Sequence, residues 1–82
     1  MNRPEIDYPC EWEYRIIGSD EENMRRAVVE IIKAKQHTLS FSNISKAGKY
    51  ISLALETIVV TEEERNGIYV SLRKHRAIKS VI

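Results

Sequence analysis

Two hydroxyl residues, each followed three positions later by a glutamate and then by an apolar-periodic stretch, punctuate this chain. They open Ser19-Asp20-Glu21-Glu22 and Thr61-Glu62-Glu63-Glu64. In such a capping box the hydroxyl accepts from the third helical N–H while the glutamate reaches back to the cap, so two orphaned donors are satisfied. Two of these signals in 82 residues fix two helix starts. The segments around the helices must then supply the surface against which both bury a stripe.

The first helix is expected over 20–35, capped by Ser19. Its stripe is Met24, Ala27, Val28, Ile31 and Ile32, spaced for one face. Glu21–Arg25 and Glu22–Arg26 are four apart with the acid leading, the favourable order. Acids at the start and Lys33 and Lys35 near the end suit the helix dipole. The second helix is expected over 62–75, burying Ile68, Tyr69, Leu72 and the stem of Arg65. Gly67 inside it costs about 1 kcal/mol relative to alanine, and close packing of helix on sheet is the expected reason for it.

Between and around the helices the period changes to two. Trp12, Tyr14 and Ile16 alternate with Glu13, Arg15 and Ile17, which predicts a strand over 11–18 with an aromatic-aliphatic face and a largely charged one. Residues 38–45 and 49–60 read as a hairpin through Lys46-Ala47-Gly48. Leu39 and Phe41 set one face of its first strand. Ile51, Leu53, Leu55 and Val59 set one face of the second, and Tyr50, Ser52, Ala54 and Glu56 the other. A short strand over 77–81 closes the pattern. Residues 1–10, with Pro4 and Pro9, read as an extended leader.

The order βαββαβ predicts an α+β, ferredoxin-like domain over 11–82: a four-stranded antiparallel sheet, spatial order 4-1-3-2, with two helices on one face. The reverse face would carry Glu13, Arg15, Ile17, Tyr50, Ser52, Ala54, Glu56 and Ile58. That surface is mixed, neither solvent-like nor core-like, and it is the first place to look for a partner.

Several functions fall away. Thirteen basic and 12 acidic residues leave a net charge of +1, so the global footprint of a nucleic-acid binder is missing. Lys46, Lys49, Arg73, Lys74, Arg76 and Lys79 read as a solvated turn and a cationic helix end, or as a basic edge beside Tyr50, the one aromatic placed on the open face; an RNA-binding module is therefore the weakest alternative function, and nucleic acid is not the expected partner. A lone cysteine, Cys10, gives no internal disulfide and no multi-cysteine metal site. The first residues do not resemble a signal peptide and no run approaches the ~20 apolar residues of a membrane span. A cytoplasmic protein without cofactor or membrane partner is expected. His37 and His75 lie far apart, one near each helix end, where they compensate a dipole or face solvent. No nucleophile elbow, H-E-x-x-H or phosphate-cradling loop is present. Ser19 has a capping duty. Glu11, Glu13 and Glu56 can meet across strands, but without burial their pKa values have no reason to shift. The chain is not expected to be an enzyme.

What remains is recognition. Edge strands carry unpaired backbone groups, and the open face carries Glu13, Arg15, Tyr50 and Ser52 as contact residues for another protein or a second copy, in a regulatory role. The alternative is a small-ligand sensor at Gly18-Ser19-Asp20, where a helix N-terminus exposes N–H groups. Against it, Ser19 and Glu22 use two of those donors, and the acids repel an anion.

Tyr8-Pro9-Cys10-Glu11-Trp12-Glu13-Tyr14-Arg15-Ile16-Ile17-Gly18, then Ser45-Lys46-Ala47-Gly48-Lys49-Tyr50-Ile51-Ser52, and Glu64-Arg65-Asn66, in that order and separation, resemble the small bacterial YbeD-like family from about residue 8 onward. The resemblance implies a ferredoxin-like fold close to the ACT regulatory domains, which bind amino acids. It also implies a suggested link to lipoate metabolism, so an amino acid or lipoyl-related compound is the effector to test. It carries over no catalytic or ligand residue.

Overall fold

The computed structural model describes residues 7–45 and 48–82. The elements follow in the expected order: β1 (Cys10–Gly18), α1 (Glu21–Ile32), β2 (His37–Ile44), β3 (Ile51–Val59), α2 (Glu62–Lys74) and β4 (Ser80–Val81). The sheet order is β2-β3-β1-β4, the 4-1-3-2 order read from the other edge, and every pairing is antiparallel. The expected leader falls mostly on residues 1–6, and Lys46 and Ala47 of the hairpin connection also lie outside the described residues. Among those described, no helix is long and apolar enough to cross a membrane.

The helix-side face of the sheet holds Tyr14 and Ile16 from β1 and Leu53, Leu55 and Val59 from β3, all buried. Met24, Ala27, Val28 and Ile32 of α1, Ile68 and Leu72 of α2, and Ile78 complete the same core. Trp12 packs on its margin with the Arg65 guanidinium 4.6 Å from its ring centroid. Two polar links cross the layers. The Tyr14 hydroxyl donates to the Arg65 carbonyl at 2.7 Å, and Thr57 Oγ1 donates to the Gln36 carbonyl at 2.9 Å. Both satisfy groups that burial would otherwise penalise.

Several local expectations are corrected. Asp20, not Ser19, caps α1: its Oδ1 accepts from the Asn23 N–H at 3.1 Å and its Oδ2 from Asn23 Nδ2 at 3.2 Å. Glu22 turns outward to Arg26 instead. Helix α1 stops at Ile32 rather than running to 35, because Lys33 takes a positive φ of 60° and the chain turns toward β2. Lys35 therefore leaves the helix and meets Glu64 at 3.3 Å, tying the exit of α1 to the start of α2. The Thr61 cap is present, with Glu64 N–H donating to Oγ1 at 3.0 Å, but the reciprocal bond comes from the Val60 N–H at 2.8 Å. In α2, Tyr69 is exposed and the buried stripe is Ile68 and Leu72. Gly67 is exposed too, and a Cβ there would meet nothing within 4 Å, so close packing does not explain it. Strand β4 is shorter than the expected 77–81, since Ala77 N–H is taken by the His75 side chain.

Candidate functional site

Antiparallel register arranges the uncovered face in rows. Glu11 lies opposite Ile58. Glu13 lies opposite Glu56, which lies opposite Thr38. Arg15 lies opposite Ala54 and then Ser40, and Ile17 lies opposite Ser52 and then Asn43. The extra residue that lets Asn43 face Ser52 is a bulge between Phe41 and Asn43. Tyr50 just precedes β3 and is exposed at the end of the face. Glu13, Arg15, Ser52 and Tyr50 thus occupy successive rows of one surface.

The face is chemically mixed. Ala54 is only 7% exposed and makes a floor between Arg15 and Ser40. Ile58, 51% exposed, stands beside Glu11. Arg15 Nη2 is 3.9 Å from Glu13 Oε2, both side chains half-exposed, so the pair is weak. Glu13 and Glu56 face each other directly with like charge, an arrangement that destabilises a sheet. Among the described residues no three His, Cys, Asp or Glu side chains converge to hold a metal ion.

Ser45 fixes Tyr50, a role sequence reasoning missed. Its Oγ accepts from the N–H groups of Lys49 and Tyr50, each at 3.1 Å, and its own N–H donates to the Tyr50 carbonyl at 2.9 Å. A serine five residues ahead of the tyrosine, across a glycine at φ 68°, was the available signal. Ile17, Asn43, Tyr50 and Ser52 line a depression of about 170 Å³, and Ser52 Oγ is buried there with no hydrogen-bond partner.

The Gly18–Asp20 turn has a different character. Gly18 is buried, and a Cβ on it would lie 2.6 Å from the Ala77 carbonyl oxygen and 2.7 Å from Met24 Sδ. Ser19 and Asp20 are exposed, and the Asp20 carboxylate already occupies the first turn. An anion arriving there meets a carboxylate where it needs a free donor.

The histidines and the two perturbed acids belong to the scaffold. Ala77 N–H can only donate, so His75 Nδ1 accepts it at 3.1 Å and Nε2 donates to Glu30 at 2.7 Å. The Lys35 carbonyl can only accept, so His37 Nδ1 donates to it at 2.9 Å. Burial pushes the Tyr14 hydroxyl up to about 12. The Val60 N–H, followed by Lys35, holds the Glu64 carboxyl below the usual glutamate range. Neither group lies on the open face.

The family described as a protein of unknown function (DUF493) matches residues 3–82. The chain belongs to the DUF493 family. This is the YbeD-like grouping that its motifs resemble. A UPF0250 protein of Hahella chejuensis (strain KCTC 2396) is 28% identical to this DUF493 chain, over 96% of it and 91% of the relative. An uncharacterised protein of Helicobacter pylori (strain ATCC 700392 / 26695) is 35% identical over 82% and 78%. The solution structure of protein HP0495 from H. pylori superposes with a TM-score of 0.84 at 27% identity, covering 98% of this chain and 88% of that one. A second HP0495 solution structure gives 0.68 at 28% identity, covering 100% and 95%.

Proposed function

We propose that this DUF493 protein is a non-enzymatic docking module of regulatory type, acting in the cytoplasm, which binds another protein through the open face of its sheet. The observation that carries the reading is the make-up of that face. Exposed Tyr50 and Ile58 stand on an uncovered sheet beside Arg15 and Glu13, and tyrosine and arginine are the side chains that most often anchor protein contacts. Ser52 and Ala54 give the face a small-residue floor on which a partner can seat. The histidines and perturbed acids, by contrast, are spent on caps and interlayer bonds, which supports recognition over chemistry.

The test is affinity capture from an extract of the source cells, comparing the native chain with Arg15→Glu and Tyr50→Ala. Both variants change exposed side chains, so each is expected to keep the native melting temperature, and thermal unfolding checks this first. Loss of a reproducibly captured protein with either variant supports the reading. An unchanged set of captured proteins with both overturns it.

A further inference from the structure

Strand β1 is a central strand for only part of its length. Its β3 side is paired from Cys10 to Gly18. On the other side β4 pairs with Ile16 and Ile17, and Arg15 exchanges two bonds with Ile82 at 3.2 and 2.8 Å. In an antiparallel ladder, successive residues turn their N–H and C=O groups to opposite sides. Arg15 turns to Ile82, so Tyr14 and Trp12 turn to β3, while Glu13 and Glu11 turn the same way as Arg15. Among the described residues no backbone group pairs with Glu11 or Glu13 on that side. The order β2-β3-β1-β4 therefore conceals an open edge beside Glu11 and Glu13, where β4 stops short.

This edge borders a groove. Trp12, Tyr14 and Ile82 on one side and Arg65, Asn66 and Tyr69 of α2 on the other surround an open depression of about 670 Å³. Tyr69 is 37% exposed and Ile82 74%, and the Arg65 guanidinium holds the Trp12 ring at the wall. Alternation puts Trp12 and Tyr14 on the helix side of the edge, and Glu11 and Glu13, both exposed, on the open side. Glu56 lies across the strand from Glu13. Arg15, half-exposed and 3.9 Å away, offsets Glu13 only weakly.

Together these features select one kind of occupant. N–H and C=O groups repeated at every second residue of a strand are met by an extended backbone, not by a compact ligand. In an added strand, the residue opposite Glu13 carries its side chain on the open side, beside Glu11, Glu13 and Glu56, where a cation is favoured. Its neighbours on either side turn to the helix side, opposite Trp12 and Tyr14 and toward Tyr69, where an aliphatic side chain finds ring surface to cover.

We propose that this notch takes an extended segment of another protein, added to β1 as a strand in line with β4, in which basic and aliphatic side chains alternate. Charge complementarity decides the chemistry. The carboxylates of Glu11, Glu13 and Glu56 outnumber the Arg15 guanidinium along the open side of the edge, so a segment with acids in the basic positions is repelled. The site goes beyond the open-face reading, being an edge and a helix-side groove. Of the contact residues assigned to the open face it uses only Glu13, so the two fail separately.

The probe is a short, end-blocked peptide of alternating lysine and valine, titrated into the full chain. Trp12 is the one tryptophan of the sequence and lines the groove, so its fluorescence reads occupancy. Expected is a saturable change that is weakened about tenfold by Tyr69→Ala. Glu11→Lys weakens it about threefold or more, a difference that shrinks in high salt. Tyr50→Ala, on the open face, leaves it unchanged. With peptide bound, the amides of Glu11 and Glu13 exchange more slowly, whereas those of Trp12 and Tyr14, already turned to β3, do not change. No fluorescence change up to millimolar peptide overturns the proposal, as does an equal response to a peptide with glutamate in place of lysine. So does binding that leaves Glu11 and Glu13 unprotected, or that is lost in Tyr50→Ala, which would place the contact on the open face.

Discussion

Two glycines in this fold should respond to the same substitution in opposite directions. Gly67 sits within α2 with φ in the ordinary range, exposed, and with open space where a Cβ would go. Alanine there loses nothing in the folded state. It removes conformational freedom from the unfolded chain and raises helix propensity, together about 1 kcal/mol. For a domain of this size that is a rise in melting temperature of about 4–8 °C. Gly18 is the reverse case. Its Cβ would sit 2.6 Å from a backbone carbonyl oxygen and 2.7 Å from a core methionine sulfur. The carbonyl belongs to the short segment that delivers β4 to β1, so yielding there loosens an edge pairing. Overpacking of this kind costs about 1–3 kcal/mol, and Gly18→Ala should melt several degrees lower. Thermal unfolding followed by circular dichroism, with calorimetry to check two-state behaviour, reads both. If Gly67→Ala leaves the melting temperature unchanged or lowers it, the open space at that position has been misread. If Gly18→Ala is neutral, the close approach of residue 77 to β1 is wrong.

Further outcomes follow from the caps and the two perturbed acids. Asp20→Ala and Thr61→Ala should each destabilise by about 1 kcal/mol, whereas Ser19→Ala should stay within about 0.5 kcal/mol; urea denaturation separates the three, and a costly Ser19→Ala would restore the capping box. Lys33→Gly should stabilise by about 1 kcal/mol, because glycine accepts the φ of 60° freely; an unchanged urea midpoint would refute the strain. Glu64 has a folded pKa below its unfolded value, so its contribution is present above the usual glutamate range and lost as pH falls through the depressed value. The fall in melting temperature on acidification should accordingly be shallower in Glu64→Gln than in the native chain, and parallel curves would refute the assignment. Tyr14, pushed up to about 12, stabilises fully below the normal tyrosine pKa of about 10, and that stability is lost as pH rises toward 12. Its late phenolate absorbance step should vanish in Tyr14→Phe, which also loses about 1 kcal/mol with the bond to the Arg65 carbonyl.

The order of elements was legible because hydrophobic period survives context: alternation at Trp12, Tyr14 and Ile16, and helical spacing at Met24, Ala27 and Val28, each match one buried face. The sheet order followed from the topology. What failed was decided by tertiary contacts. Ser19 and Asp20 offer overlapping capping frames, and Asp20 prevails where Asn23 supplies both a backbone and a side-chain donor. Lys33-Ala34-Lys35 has good helix propensity, yet the chain must turn there so that Gln36 can receive the Thr57 hydroxyl. On α2 the buried stripe narrows to Ile68 and Leu72, which leaves Tyr69 and Gly67 outside. The open face was legible as the complement of the buried one. Ser45 was not, since its role depends on a hairpin closing back on Tyr50.

The contrast between the two faces of the sheet bears most directly on function. On the helix side local rules and global packing largely agree: aliphatic and aromatic residues alternate inward, and the buried hydroxyls of Tyr14 and Thr57 are paired, the buried Tyr8 hydroxyl being the exception. On the open side they conflict. Glu13 faces Glu56, Ser52 Oγ is buried without a partner, and Tyr50 and Ile58 stand exposed. Such departures lower the stability of the free domain, while the helix-side core shows that this chain satisfies the same rules a few ångströms away. Local inconsistency that clusters on one surface is the pattern expected where a second selection acts on that surface. Each departure also has a chemical remedy from outside: a cation between the two carboxylates, a donor or acceptor for Ser52, apolar cover for Tyr50 and Ile58. A single docked protein surface can supply all three at once, whereas a metal ion or a small anion can supply only one.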